Sequence, residues 1–478
     1  MPVWAGYGVI FAYIFSLIFV MGPLVQRASD LETSRKSIHT MLFMVWCFLD
    51  LFFRGTVHQI VIPVCFIVLN ALSHRFRLFK SVEREEEDHP GTVYFAIAVT
   101  AVMTLCFFLP AFYYPSGIAV FCLTFGDGFA AMLGHASRSR KIFESKSLVG
   151  TLACFAVSSL AVWIFALVYR QPLGLPQALT IGALCAILEL TGHGLDNFTI
   201  VFGTALLSYG LLSFPEAPVL PCALLAIGVF LVVFFSRAIT YYGALLSMGI
   251  VFVFSFFGGA FGTVFLLGTY FCIFFVSVYK YKVLRRPKRG RGRGLLQILI
   301  NGGLGTLFML YYGLSGERGA LLVSVAAIGG CFVDSLSSDL GVLSRRAPYD
   351  PFRRRSVPAG VSGGMSPLGS GAALLASAAI ALGSALALEL RPATALWLGG
   401  LVFLQSLADS LLGSLLQIKY RCSVCGTLTD HGQHCDAPAL RESGCAWIDN
   451  NMVNLLSSIL TVLLAASVFA ARSRAGLL

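Results

Sequence analysis

The sequence predicts an all-α membrane protein that crosses the bilayer many times, arranged as two helical-bundle domains. Of its 478 residues, 57% are hydrophobic and only 12% are charged, and the mean hydropathy is +0.82. This composition excludes a soluble globular protein of the same length. Apolar runs that can cross about 30 Å of hydrocarbon as helices recur from end to end. We therefore predict about sixteen transmembrane helices.

The predicted crossings follow one another with short polar connections. The first run has no basic segment before it and no small-residue cleavage site after it, so we expect it to be retained as a helix. Several runs are short, which leaves a re-entrant interpretation open. In chain order the runs cover residues 3–21, 37–53, 56–73, 91–110, 115–134, 147–169, 176–191, 199–214, 218–236, 240–257, 260–279, 295–313, 318–333, 366–388, 394–413 and 452–471.

The net charge of +11 is concentrated in five connections, at residues 27–36, 74–80, 138–146, 280–293 and 345–355. The simplest interpretation is that these loops set the orientation in the membrane. With sixteen crossings, all five fall on one face together with the main acidic motifs, which we expect to be the cytosolic face or its equivalent. A basic rim beside carboxylates suits a metal-bound polyphosphate, and it also suits anionic lipid head groups.

Carboxylates at bilayer depth cost roughly 2.5 to 3.5 kcal/mol each on insertion scales, so each one raises a functional hypothesis. In the first half, Asp127 lies between Gly126 and Gly128 at the end of a predicted helix, where it can hold a cation or simply form a capping turn. Lys146 and Ser147 open the next helix, whose N-terminus favours phosphate. The remaining candidates of this half are Lys141, Glu189, Asp196 and Asn197.

Four segments of the first half resemble, in order and spacing, the membrane kinases of phytol and dolichol, which are relatives of phosphatidate cytidylyltransferases. The resemblance implies CTP as the donor and a long-chain isoprenoid alcohol as the acceptor. Mg²⁺ and triphosphate would be held by Asp127, Asp196 and Asn197, phosphates by Lys141 and Lys146, and Glu189 would serve as a base or support a ligand. The further nucleotide- or phosphate-binding residues would be Lys36, His39, Gly126, Gly128 and Ser147. The segments are 35–39, with Lys36 and His39, then 126–131, 141–151, and Glu189 with Asp196-Asn197; His135 and Thr151 depart from the family pattern.

The second half carries its own acidic, basic and glycine motifs. Asp334 and Asp339 bracket a serine-rich turn, and Asp409 lies inside a predicted helix. Glycine and serine at the density of the segment 357–364 can line an anion pocket with N–H groups, although Gly363-Gly364 also fits the plain start of a helix. The remaining candidates are Asn301, Arg345, Arg346, Arg353, Arg354, Arg355, Lys419, Asp449, Asn450 and Asn454.

These motifs resemble the phytyl-phosphate kinase family across nearly all of residues 240–478. The resemblance implies a second phosphorylation, from an isoprenyl monophosphate to the diphosphate, in a domain 237–478 that follows a prenyl alcohol kinase domain 1–236. Metal would be held by Asp334, Asp339, Asp409 and Asp449. Phosphates would be bound by Asn301, Lys419, Asn450, Asn454, Gly363, Gly364 and the arginines Arg345, Arg346 and Arg355. An anionic acceptor and an anionic nucleotide must meet in this domain, so it needs the more cationic site.

One cysteine group has the spacing of metal ligands: Cys422 and Cys425, followed by His434 and Cys435. Three thiolates and one imidazole suit a structural Zn²⁺, with Cys445 as a spare ligand. The alternative is a set of free thiols in a mobile loop. Most other cysteines lie in apolar runs, where a thiol behaves as a small hydrophobe, so disulfides are not implied there.

The sequence thus favours a bifunctional, Mg²⁺-dependent isoprenoid alcohol and isoprenyl-phosphate kinase that uses CTP or ATP, in an ER or plastid membrane. A CTP-dependent lipid cytidylyltransferase and a two-repeat transporter remain as alternatives. The Arg/Gly-rich tract 285–294 is expected to be a solvated loop rather than a nucleic-acid binder.

Overall fold

The computed structural model describes residues 2–76, 91–137, 139–143, 146–192, 194–236, 239–284 and 294–478. Within these ranges the chain is a polytopic all-α membrane protein, as predicted, with short strands confined to the connections between helices. It divides into two compact units, Met1–Leu224 and Leu225–Leu478. Arg237, where the domain boundary is predicted, and residues 285–293 of the predicted solvated loop lie outside the described residues.

The first unit is a bundle of apolar helices joined by short turns. A π-helical turn, Leu17–Met21, links the first two helices, and another, Cys122–Asp127, links the seventh and eighth. Its elements are α1 (Val3–Ser16), α2 (Gly22–Ala28), α3 (Leu31–Met41), α4 (Phe43–Phe53), α5 (His58–Phe76), α6 (Gly91–Phe108), α7 (Tyr113–Phe121), α8 (Gly128–Ala136), β1 (Lys141–Phe143), β2 (Lys146–Ser147), α9 (Leu148–Val168), α10 (Leu175–Thr191) and α11 (Asp196–Ser213), and α12 (Val219–Phe235) spans the division between the units.

Capping residues and one aromatic cluster explain much of the order in the first unit. Asp30 caps α3 by accepting the backbone N–H of Thr33 (3.3 Å), and Ser147 caps α9 by accepting that of Gly150 (3.1 Å). Trp46 of α4 is buried and its ring lies 5.2 Å from that of Phe165 on α9. These contacts fix where α3 and α9 begin and hold α4 against α9.

The second unit is built around one mostly buried helix, Arg318–Gly341. Small residues let its neighbours approach; the hydroxyl of Ser324, for example, donates to the carbonyl of Gly305 (2.8 Å). The elements of this unit are α13 (Tyr241–Val283), α14 (Leu295–Ser315), α15 (Arg318–Gly341), β3 (Tyr349–Asp350), β4 (Arg355–Ser356), α16 (Pro367–Leu388), α17 (Pro392–Leu415), β5 (Lys419–Cys422), β6 (Leu428–Thr429), β7 (Gln433–His434), β8 (Ala437–Ser443) and α18 (Asn450–Arg474).

The connection between α17 and α18 folds into an antiparallel sheet with the strand order β6-β5-β8-β7. Its base is closed by backbone hydrogen bonds, from Ile418 N to Ile448 O and from Cys445 N to Leu416 O (both 2.9 Å). The sheet is therefore anchored to the ends of two membrane helices.

The predicted number of sixteen crossings is not confirmed. Each of the sixteen predicted runs overlaps a helix, but among the described residues twelve helices are long and apolar enough to cross a membrane. Two of the predicted runs share α13, which bends at Gly259 (φ 56°), and Leu175–Thr191 and Val219–Phe235 are apolar but shorter. The common membrane face predicted from sixteen crossings consequently stays a prediction.

Close packing, rather than anion binding alone, requires glycine at position 363. Gly363 has a φ of +86°, and a Cβ at this position would lie 2.6 Å from the Cα of Ser414 in α17. Both the left-handed backbone and the contact exclude a side chain. The glycine-rich loop, residues 357–364, can therefore lie directly on the end of α17.

Three alanine substitutions separate the cost of backbone strain from the cost of the steric clash. Gly371→Ala, in an open position of α16, should leave stability unchanged or raise it by up to about 1 kcal/mol. Gly360→Ala, with a φ of +92° and open space, should cost about 1 to 2 kcal/mol. Gly363→Ala should cost more, because strain and clash add. Thermal unfolding of the detergent-solubilised protein ranks the three, and equal losses for Gly360→Ala and Gly363→Ala would contradict the packing argument.

Candidate functional site

A cluster of buried acids and bases lies at one end of the helices of the first unit. The Nζ atom of Lys36 lies 2.5 Å from Oδ2 of Asp127, and Nε2 of His39 lies 3.4 Å from the same oxygen. Lys146 forms an ion pair with Glu189 and lies 4.0 Å from Asp196. Residues far apart in the sequence are thus brought together in one polar cluster.

Each side chain of this cluster occupies a defined place on its element. Lys36 and His39 are three residues apart on α3 and share a face. Asp127 ends the π-helical turn Cys122–Asp127, a distortion that is frequent at functional sites. Glu189 lies in the last turn of α10 and Asp196 in the first turn of α11. The cluster therefore depends on the packing of several separate elements.

Glycines on both sides of Asp127 let these elements approach closely. A Cβ on Gly128 would lie 2.1 Å from the hydroxyl oxygen of Thr40 on α3, and one on Gly126 would lie 2.3 Å from that of Ser158 on α9. The predicted phosphate-binding role of the two glycines is not tested by these contacts. Their observed role is to place Asp127 between α3 and α9.

The cluster is close to electrical balance but retains an excess of negative charge. Of the described residues in it, three are carboxylates (Asp127, Glu189 and Asp196) and two are ammonium groups (Lys36 and Lys146), so the sum is −1 with His39 neutral. Burial by itself lowers the pKa of Lys146, but the neighbouring carboxylates outweigh it and raise the pKa above its usual value. Lys146 therefore stays protonated beside Glu189.

The ion cluster forms one end of a cavity of about 920 Å³. The other walls are apolar and come from α1, α4, α5, α6 and α7. Lys36 and Leu49, which both line it, are separated by about 20 Å of nearly continuous helix at 1.5 Å per residue. The apolar lining includes Ile14, Ile18, Leu42, Val45, Trp46, Leu49, Ile62, Phe66, Phe95, Val99 and Met103.

Other predicted residues of the first half also line this cavity. Lys141 is exposed on β1. Ser147 lines the cavity and also caps α9. The amide of Asn197 donates to the carbonyl of Gly91 (3.2 Å), so in this structure it ties α11 to α6. His135, where the sequence departs from the family pattern, pairs with Asp30 (3.1 Å).

A second acidic group lies between α15, α17 and α18 in the second unit. Asp334 is near enough to interact electrostatically with Asp409 and with the hydroxyl of Ser406, which lies 3.1 Å from that of Ser337. Asp409 accepts a hydrogen bond from the side-chain amide nitrogen of Asn454 (2.9 Å), when the amide oxygen and nitrogen are assigned from the neighbouring donors and acceptors. It also accepts one from the hydroxyl of Ser457 (3.4 Å). Among the described residues neither carboxylate has an ion-pair partner within 4.0 Å, so the pair can be fully ionised only with a bound cation and otherwise holds a proton.

Other predicted acids of the second half lie apart from this pair. Asp339 binds Lys280 and accepts from the hydroxyl of Ser277 (2.5 Å), both on α13. Asp449 is exposed and caps α18 through the backbone N–H of Met452 (2.9 Å). These contacts give both acids structural partners.

Most of the predicted basic and amide residues of the second half lie outside the acid pair as well. Arg345 and Arg346 are exposed in the loop after α15, and Asn301 is half-buried on α14. The backbone carbonyl of Asn450 accepts from the Asn454 amide (3.2 Å). The Nε atom of Arg355 is buried and has no hydrogen-bond partner among the described residues.

Lys419 belongs to a separate polar group beneath the glycine-rich loop. It is fully buried and donates to the carbonyl of Ser362 (2.8 Å), whose backbone N–H and hydroxyl both donate to Asp430 (2.8 and 2.6 Å). Burial, together with repulsion from Arg353 and Arg355, lowers the pKa of Lys419 against the opposing effect of Asp430 and Asp350. Asp430 and Asp350 were not among the predicted residues.

The missed residues carried little signal in the sequence. Asp350 is fully buried and accepts from the hydroxyl of Ser414 (2.8 and 2.7 Å), and Gln405 donates to Ser458 (2.9 Å). Neither stands in a recognisable motif. A polar residue in the apolar run of α17 is the one cue that could have pointed to Gln405.

The second half of the chain matches a known family. The family described as "Integral membrane protein DUF92" covers residues 224–462, which is half of the chain and begins where the second unit begins. The chain therefore belongs to this family of integral membrane proteins.

Two curated proteins are similar to part of the chain. "Protein PGR" of Arabidopsis thaliana is 31% identical over 210 residues, covering 38% of this chain and 72% of the relative. An uncharacterised protein of Methanocaldococcus jannaschii is 30% identical over 145 residues, covering 28% of this chain and 72% of the relative. No solved structure matches the chain.

The buried pair Lys36–Asp127 can be tested by a double-mutant cycle. Lys36→Met should lower the free energy of unfolding by about 3 to 5 kcal/mol, because it leaves a buried carboxylate without its lysine. Adding Asp127→Asn should recover part of this loss. Arg35→Met is the matched control: it removes the more exposed pair with Glu32 (2.6 Å) and should cost at most about 1 kcal/mol. Strictly additive losses in the cycle would show that the two residues do not interact.

Proposed function

We propose that the first unit transfers the terminal phosphoryl group of a nucleoside triphosphate to the hydroxyl of an isoprenoid alcohol. The observation that carries this proposal is the single cavity that joins a charged cluster to a long apolar wall. A prenol likewise has a polar end and an apolar part, since it carries one hydroxyl at the end of a hydrocarbon chain. Among the reactions that the sequence motifs allow, prenol phosphorylation uses both ends of the cavity.

The apolar wall supports a hydrocarbon acceptor. Burial of apolar surface contributes about 25 cal/mol for each Å², so a chain lying along helix α4 gains affinity without any polar contact. The hydroxyl would then lie among Lys36, His39 and Asp127. Because binding places it next to the charged cluster, the reacting groups are held close together before the reaction.

The polar end supports phosphoryl transfer. In this reaction the alcohol oxygen forms a bond to the γ-phosphorus, the bond from that phosphorus to the β–γ bridging oxygen breaks, and the nucleoside diphosphate leaves. The hydroxyl proton passes to a carboxylate of the cluster. Lys36 and Lys146 supply positive charge for the phosphates.

The donor set of the cluster fits Mg²⁺. Carboxylate oxygens are the ligands that this ion prefers, and the excess negative charge of the cluster leaves room for a cation. Asp127 and Asp196 would hold it, and when bound it would neutralise charge on the transferring phosphates. Lys36 and Lys146 then orient the carboxylates through the ion pairs already described.

For the second unit we propose phosphorylation of the prenyl monophosphate to the diphosphate. Asp334 and Asp409 form an oxygen donor set without a compensating cation among the described residues, which fits a divalent metal better than the lysine-paired acids of the first unit do. Asn454 and Ser457 orient Asp409. Lys419, which donates to the carbonyl of Ser362 in the glycine-rich loop, and the half-buried Arg355, just before that loop in sequence, supply the basic groups of this proposal.

The donor and the location follow from the resemblance of the motifs and are part of the same proposal. CTP is the expected donor in the first unit, with ATP as the other donor to test. Both sites would face the cytosol or its equivalent, in an ER or plastid membrane.

Product analysis with two single substitutions tests the two-step reaction. With Mg²⁺, CTP and geranylgeraniol, the purified chain should form the mono- and diphosphate. The Asp127→Asn variant should form no product from the alcohol but should still convert added monophosphate to the diphosphate. The Asp334→Asn variant should form the monophosphate and no diphosphate. Mass spectrometry of the lipid fraction is the measurement.

The exposed acids Glu216 and Glu317 provide the controls, since Glu216→Gln and Glu317→Gln should leave both steps unchanged. Radiolabel on the γ-phosphate of CTP should reach the lipid. Label in pyrophosphate, with cytidine on the lipid, would identify a cytidylyltransferase instead. Prenol flux across vesicles without nucleotide turnover would identify a transporter.

Two neighbouring residues of α5 test the lipid-binding role of the cavity. Ile62 lines the cavity about 12 Å along the helix from Asn70, which lies near the charged cluster. Its neighbour Val61 is 37% exposed on the outer surface of the helix. Ile62→Phe should raise the KM for geranylgeraniol on the order of tenfold and leave the shorter geraniol unaffected. Val61→Phe should change neither. An equal loss for both alcohols would contradict a prenyl chain in this cavity.

A further inference from the structure

The four predicted metal ligands of the second unit meet at one point. The Sγ atoms of Cys422, Cys425 and Cys435 and the imidazole of His434 place one ligand atom each within 4.8 Å of the others. The predicted spare, Cys445, is outside the group. The separations include 3.7 Å between the sulfurs of Cys425 and Cys435 and 3.4 Å from Cys425 Sγ to His434 Nδ1.

These two distances lie within about 0.2 Å of the edges of a zinc tetrahedron, and the 3.2 Å from Cys435 Sγ to His434 Nδ1 is about 0.4 Å shorter. With Zn–S bonds of 2.3 Å and Zn–N bonds of 2.0 to 2.1 Å, tetrahedral geometry requires about 3.8 Å between two sulfurs and about 3.6 Å between sulfur and nitrogen. A disulfide requires about 2.05 Å between its sulfurs, far less than the 3.7 Å between Cys425 and Cys435.

The backbone around the first two cysteines is arranged to support a thiolate. The N–H groups of Val424 and Cys425 both lie against Cys422 Sγ (3.4 and 3.5 Å). Donors pointing at a sulfur favour its charged form. The turn closes with Gly426 N donating to Cys422 O (3.0 Å), and Gly426 takes the positive φ of 68° that ends it.

An unusual hairpin explains how the adjacent residues His434 and Cys435 can both be ligands of the same metal ion. Neighbours on a strand point to opposite faces, which would separate their ligand atoms. Here Cys435 and Asp436 form the two-residue turn between β7 and β8, both with positive φ (52° and 54°). This turn type favours Asn, Asp and Gly, so Cys435 is held there against its preference. It places Cys435 Sγ 3.2 Å from His434 Nδ1.

We propose that Cys422, Cys425, His434 and Cys435 bind one structural Zn²⁺. Zinc bonds to three thiolates, whose protons are released to solvent, and to the neutral imidazole at Nδ1. With four protein ligands the site is closed and does not activate water. This inference is independent of the proposed kinase activity.

The zinc would fix the sheet against the glycine-rich loop. Cys422 ends β5, the strand that begins with Lys419, and Asp430 lies between β6 and β7. Lys419 and Asp430 both bind Ser362 of that loop. Val357 and Val361 pack with Leu428 of β6 in a small core. Loss of zinc should therefore loosen this loop as well as the sheet.

Metal analysis of the full-length protein, purified in detergent without added metal, tests the proposal. We expect about one zinc per chain. Cys425→Ser and Cys435→Ser should lose most of it, and Cys445→Ser should keep it. Absence of zinc from the intact chain even after incubation with ZnCl₂, or equal zinc in all variants, would overturn the proposal.

Alkylation of the unmutated protein gives an answer that does not depend on whether the variants fold. Zinc should protect Cys422, Cys425 and Cys435 from N-ethylmaleimide until a chelator is added, and alkylation of the detergent-unfolded protein with chelator gives the reference for full reaction. Peptide mass spectrometry reads each cysteine separately. Equal reactivity with and without chelator, or a peptide cross-linked between Cys425 and Cys435, would show free thiols or a disulfide in place of zinc.

Discussion

The buried ion pair between Lys36 and Asp127 is the interaction on which the arrangement of the first unit depends. A carboxylate inside a helical bundle is strongly destabilising unless an opposite charge and hydrogen bonds accompany it. The partner comes from α3, ninety-one residues away in the chain, and glycines beside Asp127 allow the approach. The same requirement joins Lys146 to Glu189. Charge pairing thereby gathers five elements around one end of the cavity, and apolar packing forms the rest of it.

The two acidic groups of the chain satisfy this requirement in different ways. In the first unit, lysines from neighbouring elements neutralise most of the carboxylate charge. In the second, the described partners of Asp334 and Asp409 are hydroxyl and amide groups, which orient the acids without neutralising them. Either a proton or a bound cation must therefore neutralise the second group. Asp339, only five residues from Asp334, already has the ammonium of Lys280.

The sequence predicts which residues carry charge into the membrane but not which of them meet. Spacing along one helix places Lys36 and His39 on a shared face, and Asp449 before α18 has the position of an N-cap. The pairing of Asp339 with Lys280, or of Asp350 with Ser414, depends on how helices and loops pack, which local patterns do not encode. The sixteen predicted crossings are not confirmed by the twelve helices that meet the length requirement, because hydropathy alone does not distinguish short apolar helices, or two runs joined at the bend at Gly259, from separate crossings.

A cryo-EM structure of the full chain with Mg²⁺, a non-hydrolysable CTP analogue and geranylgeraniol tests the central claim most directly. The account predicts density for the γ-phosphate beside Lys36 and Lys146, and for the hydrocarbon chain along the wall between Trp46 and Met103. The alcohol oxygen should point at the γ-phosphorus. Nucleotide bound with its α-phosphate next to that oxygen, or a cavity filled by lipid with the nucleotide elsewhere, would contradict it.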